Sequence, residues 1–371
     1  MTTTHDRDWG EIADLAQHSL DQLFRAPGPQ HLHNSHPAGT GDAATFNYWW
    51  LAHVVDARVD AWVRTGDPVW LDRAAATAAH VVERNEGSLT NDYFDDMLWF
   101  GLALLRLHEA TGAPEHLQDA LALWDHVVAH GWNDAQGTSL AWREQQLEYK
   151  NTPANGPLVI LSLRLERVLP GTRDFRTYAS TALAWLERTL VRPDGFVEDG
   201  INREGDGRID TQWRFTYNQG LYVGALVEWW AATEDSTALA RAEQTALTAV
   251  VELSDGTVFR DEGDGGDEGL FKGVYYRYLG TLLPVLDPAS ATRRRLAEFL
   301  RASTDALVTH GVHDGVLRPG DDWSRPWEGP IPYSTLLSAI MAVEQRWLLE
   351  AGYPQPPALA PAHAPQDTDP A

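Results

Sequence analysis

Apolar residues recur at the three- and four-residue spacing of a helix along almost the whole chain, in stretches separated by Gly, Pro, Asp and Asn. The pattern predicts twelve helices, approximately at 8–26, 46–66, 68–87, 94–111, 115–131, 155–169, 174–190, 217–234, 237–253, 270–286, 290–310 and 332–351, and no strand series competes with them. The segments alternate in character. Even-numbered ones are apolar or aromatic on most faces, as in "FDDMLWFGLALLRL" and "LFKGVYYRYLGTLLPVL", which marks buried helices. Odd-numbered ones, such as "PVWLDRAAATAAHVVERNEG", carry one apolar stripe opposite a charged face and belong outside. The buried segments start near 46, 94, 155, 217, 270 and 332, a loose period of 48–62 residues. An open solenoid would need capping repeats, whereas six inner and six outer helices can close on themselves. The expected fold is an all-α (α/α)6 toroid over residues 1–353, followed by a Pro- and Ala-rich tail at 354–371 expected to be disordered.

The loops entering the inner helices are long and aromatic, and irregular loops of that length in a compact domain are commonly functional. Because each precedes an inner helix, all should gather at one end of the ring and frame a cleft. Sixteen tryptophans exceed what a helical core needs, and Trp49, Trp50, Trp99, Trp142, Trp213, Trp323 and Trp327 fall in or near these loops. Aromatic faces beside amides and carboxylates fit sugar recognition, although rings of this size also wedge a wide toroid.

Composition narrows the function classes. With 43% hydrophobic and 22% charged residues the chain can bury a sizeable core. Its formal charge of −24, from 53 acidic against 29 basic residues, repels nucleic acid and anionic membrane surfaces. No apolar stretch approaches the roughly 20 residues that span a bilayer. The absence of cysteine excludes disulfides, thiolate zinc sites and cysteine nucleophiles. The N-terminus has no basic start, apolar core or cleavage site of a secretory signal, so a cytoplasmic location is expected. Basic residues are almost all Arg. Only Lys150 and Lys272 remain as lysines, and positions that resist replacement can be ones that need a compact ammonium, so both are expected in or beside the cleft.

The sharpest chemical signal is "NDYFDDMLWFGLALL", which places Asp95 and Asp96 in the first turn of an apolar inner helix. One aspartate there serves as a cap or a favourable first-turn charge, worth roughly 0.3–1 kcal/mol; a second on a buried helix needs another explanation. Glycoside hydrolysis requires two carboxyl groups, one protonated and one ionised. At about 5 Å and an effective dielectric near 20, one carboxylate opposes ionisation of the other by about 3 kcal/mol, enough to split their pKa values by roughly two units. Asn91, Asp92 and Tyr93 precede the pair, and Trp99 follows one turn on. Three further clusters open inner helices: "EYKNTPANGPL" with Lys150, Asn151 and Asn155; "FTYNQGLYVGAL" with Tyr217, Asn218 and Gln219; and "GLFKGVYYRYL" with Phe271, Lys272 and Tyr275. Such residues are also ordinary at helix entries, but three clusters at equivalent ring positions point to substrate contact.

Taken together and in this order, the four motifs resemble glycoside hydrolase family 76, the endo-α-1,6-mannanases, over roughly residues 46–345. The resemblance implies a retaining mechanism on α-1,6-linked mannose chains, with Asp95 as nucleophile and Asp96 as acid/base. It implies no metal and no organic cofactor, and mannan or manno-oligosaccharide as the partner. Two other classes stay open: another toroid enzyme, such as an unsaturated-uronide hydrolase or a sugar epimerase, and a noncatalytic glycan-binding protein. A uronide hydrolase would want basic residues in these mainly acidic loops, an epimerase would want paired histidines on inner helices, and a binding protein has little use for two aspartates. "HLHNSH" offers His31, His33 and His36 without an acidic partner pattern, and "GINREGDGRID" lacks the terminal Glu of a calcium loop.

Overall fold

The computed structural model describes residues 7–263 and 266–357; of the tail expected to be disordered, 358–371 lies outside the described residues. In chain order the helices are α1 (Trp9–Phe24), α2 (Tyr48–Thr65), α3 (Val69–Arg84), α4 (Phe94–Thr111), α5 (Pro114–Gly131), α6 (Thr152–Val168), α7 (Phe175–Thr189), α8 (Thr216–Thr233), α9 (Ser236–Leu253), α10 (Glu268–Leu282), α11 (Ala291–Gly311) and α12 (Tyr333–Glu350). Each predicted segment has its helix, with bounds moved by a few residues. The even-numbered helices pack each on the next, and α12 returns to α2, so the inner ring is closed. Outside it, α3, α5, α7 and α9 lie against α2, α4, α6 and α8, while α1 and α11 both cover α12.

The hydrophobic pattern explains this sorting. In α3 the buried side chains Trp70, Leu71, Ala74, Thr77, Ala78 and Val81 follow one stripe, and the opposite face is wet. In α8 burial runs almost unbroken from Thr216 to Glu228. Seams of the inner ring are tight enough to need glycine. A Cβ on Gly220 of α8 would lie 2.6 Å from the Tyr275 Cα of α10, and one on Gly273 would lie 2.7 Å from the Ser338 Cα of α12.

The helical pattern did not contain one element. Between α5 and α8 the chain builds a four-stranded antiparallel sheet from Trp132–Asn133, Ser139–Arg143, Gln146–Asn151 and Gly200–Ile201. Its central hairpin stands beside the first turn of α4, and Tyr93 bridges to Arg143. Residues that the sequence assigned to an irregular loop are thereby fixed at the entrance of the ring.

Candidate active site

N-terminal ends of the inner helices converge on a cavity of about 510 Å³. Trp49 of α2, Asp95, Asp96 and Trp99 of α4, Tyr217 of α8 and Phe271 of α10 all line it, with Tyr93 and the α6 cap Asn151 beside them. Its floor is aromatic. The Trp99 ring lies 6.2 Å from Trp49 and 4.9 Å from His53, while Phe271 stacks on Tyr217 at 3.9 Å and 9°.

The two aspartates sit in unequal surroundings. Asp95 accepts hydrogen bonds from the Asp96 amide (3.1 Å) and from Trp142 Nε1 (3.0 Å), whereas the Asp96 side chain accepts one, from Asn91 Nδ2 (3.0 Å). Burial pushes Asp95 up to about 7 against the pull of its donors. Burial and the Asp95 charge together hold Asp96 well above the ordinary carboxylate range. Both carboxyls are thus held above the ordinary carboxylate range, and Asp95 has the greater share of donors to an anion. Trp142, the donor from the hairpin, is itself pinned: the Arg143 guanidinium lies 4.5 Å over its ring, and Tyr93 and Tyr149 meet it edge-on at 5.4 and 5.6 Å.

The same cavity holds a second acidic centre, which the sequence reading missed. The Asp199 carboxylate accepts from Tyr217 OH (3.0 Å), Asn218 Nδ2 (2.9 Å), Tyr149 OH (3.0 Å) and Arg203 Nη2 (2.6 Å). Arg203 also binds Asp210 and stacks 4.0 Å from the half-exposed Trp213. A further carboxylate, Asp267, accepts from the indole N–H groups of both Trp49 (2.9 Å) and Trp50 (2.7 Å). The walls thus combine carboxylates, amides and ring faces, with Arg203 as the one lining cation among the described residues.

The sequence pattern of glycosyl hydrolase family 76 matches residues 26–355. The chain belongs to that family. As a family 76 member it is a glycoside hydrolase. Among solved structures it is similar to the Lin0763 protein from Listeria innocua, at 43% identity and a TM-score of 0.89 over 93% of this chain and 99% of that one. It is also similar to the GH76A α-1,6-mannanase of Salegentibacter sp. HEL1_6, at 32% identity and a TM-score of 0.86 over 92% of this chain and all of that one. An inactive variant of the Salegentibacter enzyme, with two consecutive aspartates replaced by alanine, was solved in complex with α-1,6-mannotetrose. The mannan endo-1,6-alpha-mannosidase DCW1 of Saccharomyces cerevisiae is 24% identical over 324 residues, covering 79% of this chain and 70% of that protein.

Several residues expected to touch substrate support this family 76 site from behind instead. Lys150 is sealed in the sheet, where its ammonium donates to the Asn133 (3.0 Å) and Ser139 (2.6 Å) carbonyls, and burial pushes it down to about 7. Lys272 donates to the Asp321 carbonyl and lies close to the partly buried Glu262, whose carboxylate accepts from the Thr216 amide and hydroxyl at the start of α8. Neither lysine reaches the cleft. Asn155 brackets Leu140 of the hairpin (2.9 Å to its N–H and 2.9 Å to its C=O), and Gln219 does the same for Val197 (2.9 and 2.7 Å). Tyr275 points outward to the Ala246 carbonyl of α9 (2.8 Å). Asn91, Asn218 and Trp50 act through Asp96, Asp199 and Asp267, and Asp92 is exposed, its carbonyl accepting from the Glu144 amide. Trp323 is buried in a stack on Tyr276, and Trp327 does not line the cleft.

Proposed function

We propose that this hydrolase cleaves α-1,6-linked mannose chains by double displacement, with Asp95 as nucleophile and Asp96 as acid/base. The observation that supports these roles is the unequal hydrogen bonding of the two carboxyl groups: two donors reach Asp95, which favours its anion, and one reaches Asp96, which favours it as the proton carrier. The kinship with a mannanase whose inactive variant binds α-1,6-mannotetrose supports the substrate class.

In the first step an Asp95 oxygen attacks the anomeric carbon and the bond to the leaving O6 breaks. Asp96 gives that oxygen its proton. The product is a mannosyl ester on Asp95. Esterification removes the negative charge beside Asp96, so its carboxyl becomes easier to ionise and is suited to take a proton from water. That water attacks the anomeric carbon, the ester bond breaks, and Asp95 leaves as carboxylate. Two inversions give net retention.

Linear α-1,6-mannan should be shortened, and the first product seen by NMR should carry the α-anomer. Asp96→Ala should hydrolyse mannan poorly but turn over an activated aryl α-mannoside when azide is present, giving the α-mannosyl azide, because a good leaving group needs little protonation. A β-azide, a β-anomer as first product, or an inert response to α-1,6-mannan would overturn the reading.

A further inference from the structure

Away from the cleft, the folded chain gathers His31, His80 and Glu83 so that one candidate donor atom from each lies within 4.8 Å of the others. We propose that these residues bind a single divalent transition-metal ion of the zinc type, which clamps the segment between α1 and α2 onto the end of α3. His80 and Glu83 are three residues apart on α3 and share a face. His31 comes from the connecting segment, which is held in a turn by the Ala26 amide donating to the His31 carbonyl at 2.9 Å. The "HLHNSH" loop has no acidic partner nearby in sequence because its partners lie about fifty residues on, in another element.

His80 makes the cluster more than a chance surface grouping. Its side chain is only 7% exposed, its Nδ1 has no hydrogen-bond partner, and that atom faces Glu83 Oε2 at 3.6 Å. A buried imidazole nitrogen without a partner is uncommon and asks for one. His31 directs Nε2 to the same carboxylate oxygen at 3.9 Å, and its ring stacks on His80 at 3.7 Å. The loop backbone is shaped to receive that ring: Gly28 has φ +123°, and a Cβ there would come 2.2 Å from His31 Nδ1. Two imidazoles and one carboxylate are a donor set that suits zinc and leaves a fourth position for water. Binding tilts the rings out of their stack so that both lone pairs converge. The partly exposed His31 and the largely exposed Glu83 have room to move, while His80 stays fixed.

The clamp would reach the cleft rim. The same segment continues into Phe46 and Asn47, both of which line the cavity, and Arg84, next to Glu83, lies 5.6 Å over the Phe46 ring.

The test is calorimetric titration of the tag-free, chelator-stripped full chain with zinc chloride, paired with thermal melts. One equivalent should bind saturably and raise the melting temperature. His31→Ala and Glu83→Ala change exposed or partly exposed side chains and should fold, yet each should weaken zinc binding by at least about tenfold. Unsaturable uptake, or an affinity that survives either substitution unchanged, would overturn the site.

Discussion

Two donors reach the Asp95 carboxylate and one reaches Asp96, and Asp96 also feels the charge of its neighbour. A carboxyl whose folded pKa lies above its unfolded value binds more protons in the native state, so it lowers stability progressively as pH rises from about 4 through the folded pKa. Each unit of displacement corresponds to about 1.4 kcal/mol. Asp96→Asn keeps an oxygen for Asn91 to donate to and removes the charge. That variant should abolish mannan hydrolysis and yet unfold at higher urea than the parent at pH 8. The gain should shrink toward zero as pH falls through about 4, where the unfolded parent takes up the proton that the folded one already holds. Urea melts at the two pH values provide the check, and an equal difference at both would mean that the carboxyl is not held out of its ordinary range. Lysine followed a different logic from the one its scarcity implied: Lys150 is buried against two backbone carbonyls of the sheet and does not line the cleft.

At the scale of elements, the twelve helices were legible because burial on all faces and burial on one stripe leave different marks along a chain. The hairpin was not. Its turn is Glu144–Gln145, without the Gly or Asn that usually marks a tight reversal, and Ser139, Leu140 and Ala141 are buried consecutively instead of alternately. Asp199, Arg203 and Asp267 escaped notice for a related reason: each sits in a connection whose position depends on the closed ring, and each finds its partners in other elements. Asn155 and Lys150 stood out correctly as unusual, but their task is to hold the hairpin that carries Trp142. A lysine suits that place since it can shed its proton when buried, which arginine cannot. Because burial puts the folded pKa of Lys150 near 7, below its unfolded value, its stability contribution improves as pH rises from 7 toward 10. Lys150→Arg should therefore destabilise the chain by roughly 2–4 kcal/mol, through a charge that cannot be lost and a head group that overfills the site. The deficit should be larger at pH 9 than at pH 6 in denaturant melts. A variant as stable as the parent would show the site to be roomier and wetter than its two carbonyl bonds imply.

For the molecule as a whole, closing six helices into a ring leaves an axis that must be filled, and this chain fills it with charge. Below the aromatic floor of the cleft, Arg106 and Arg277 bridge Asp56 and Asp60, tying α2, α4 and α10 together, with Arg277 Nη2 2.8 Å from Asp60 Oδ2 and Arg106 Nη2 2.7 Å from Asp60 Oδ1. His53 separates this network from Trp99, and burial pushes its imidazole down to about 3, so a neutral ring lies between the salt network and the cleft. Burial alone would raise Asp56, yet the two guanidinium groups hold it at about 2. A carboxyl depressed in this way adds stability above its unfolded pKa, and that stability is lost as pH falls through the folded one. Arg277→Met keeps most of the volume and strands part of the acidic charge. It should cost about 3–5 kcal/mol at pH 7, the usual penalty for breaking a buried pair from one side. The cost should narrow as pH drops toward 4, because a stranded carboxyl escapes its burial by taking a proton. Replacing Asp60 by Asn in the Arg277→Met background should recover part of the loss at pH 7, since it leaves one aspartate to balance the remaining Arg106. A double variant no more stable than Arg277→Met would mean that the arginine holds the ring by packing alone, not by balancing the aspartates on its axis.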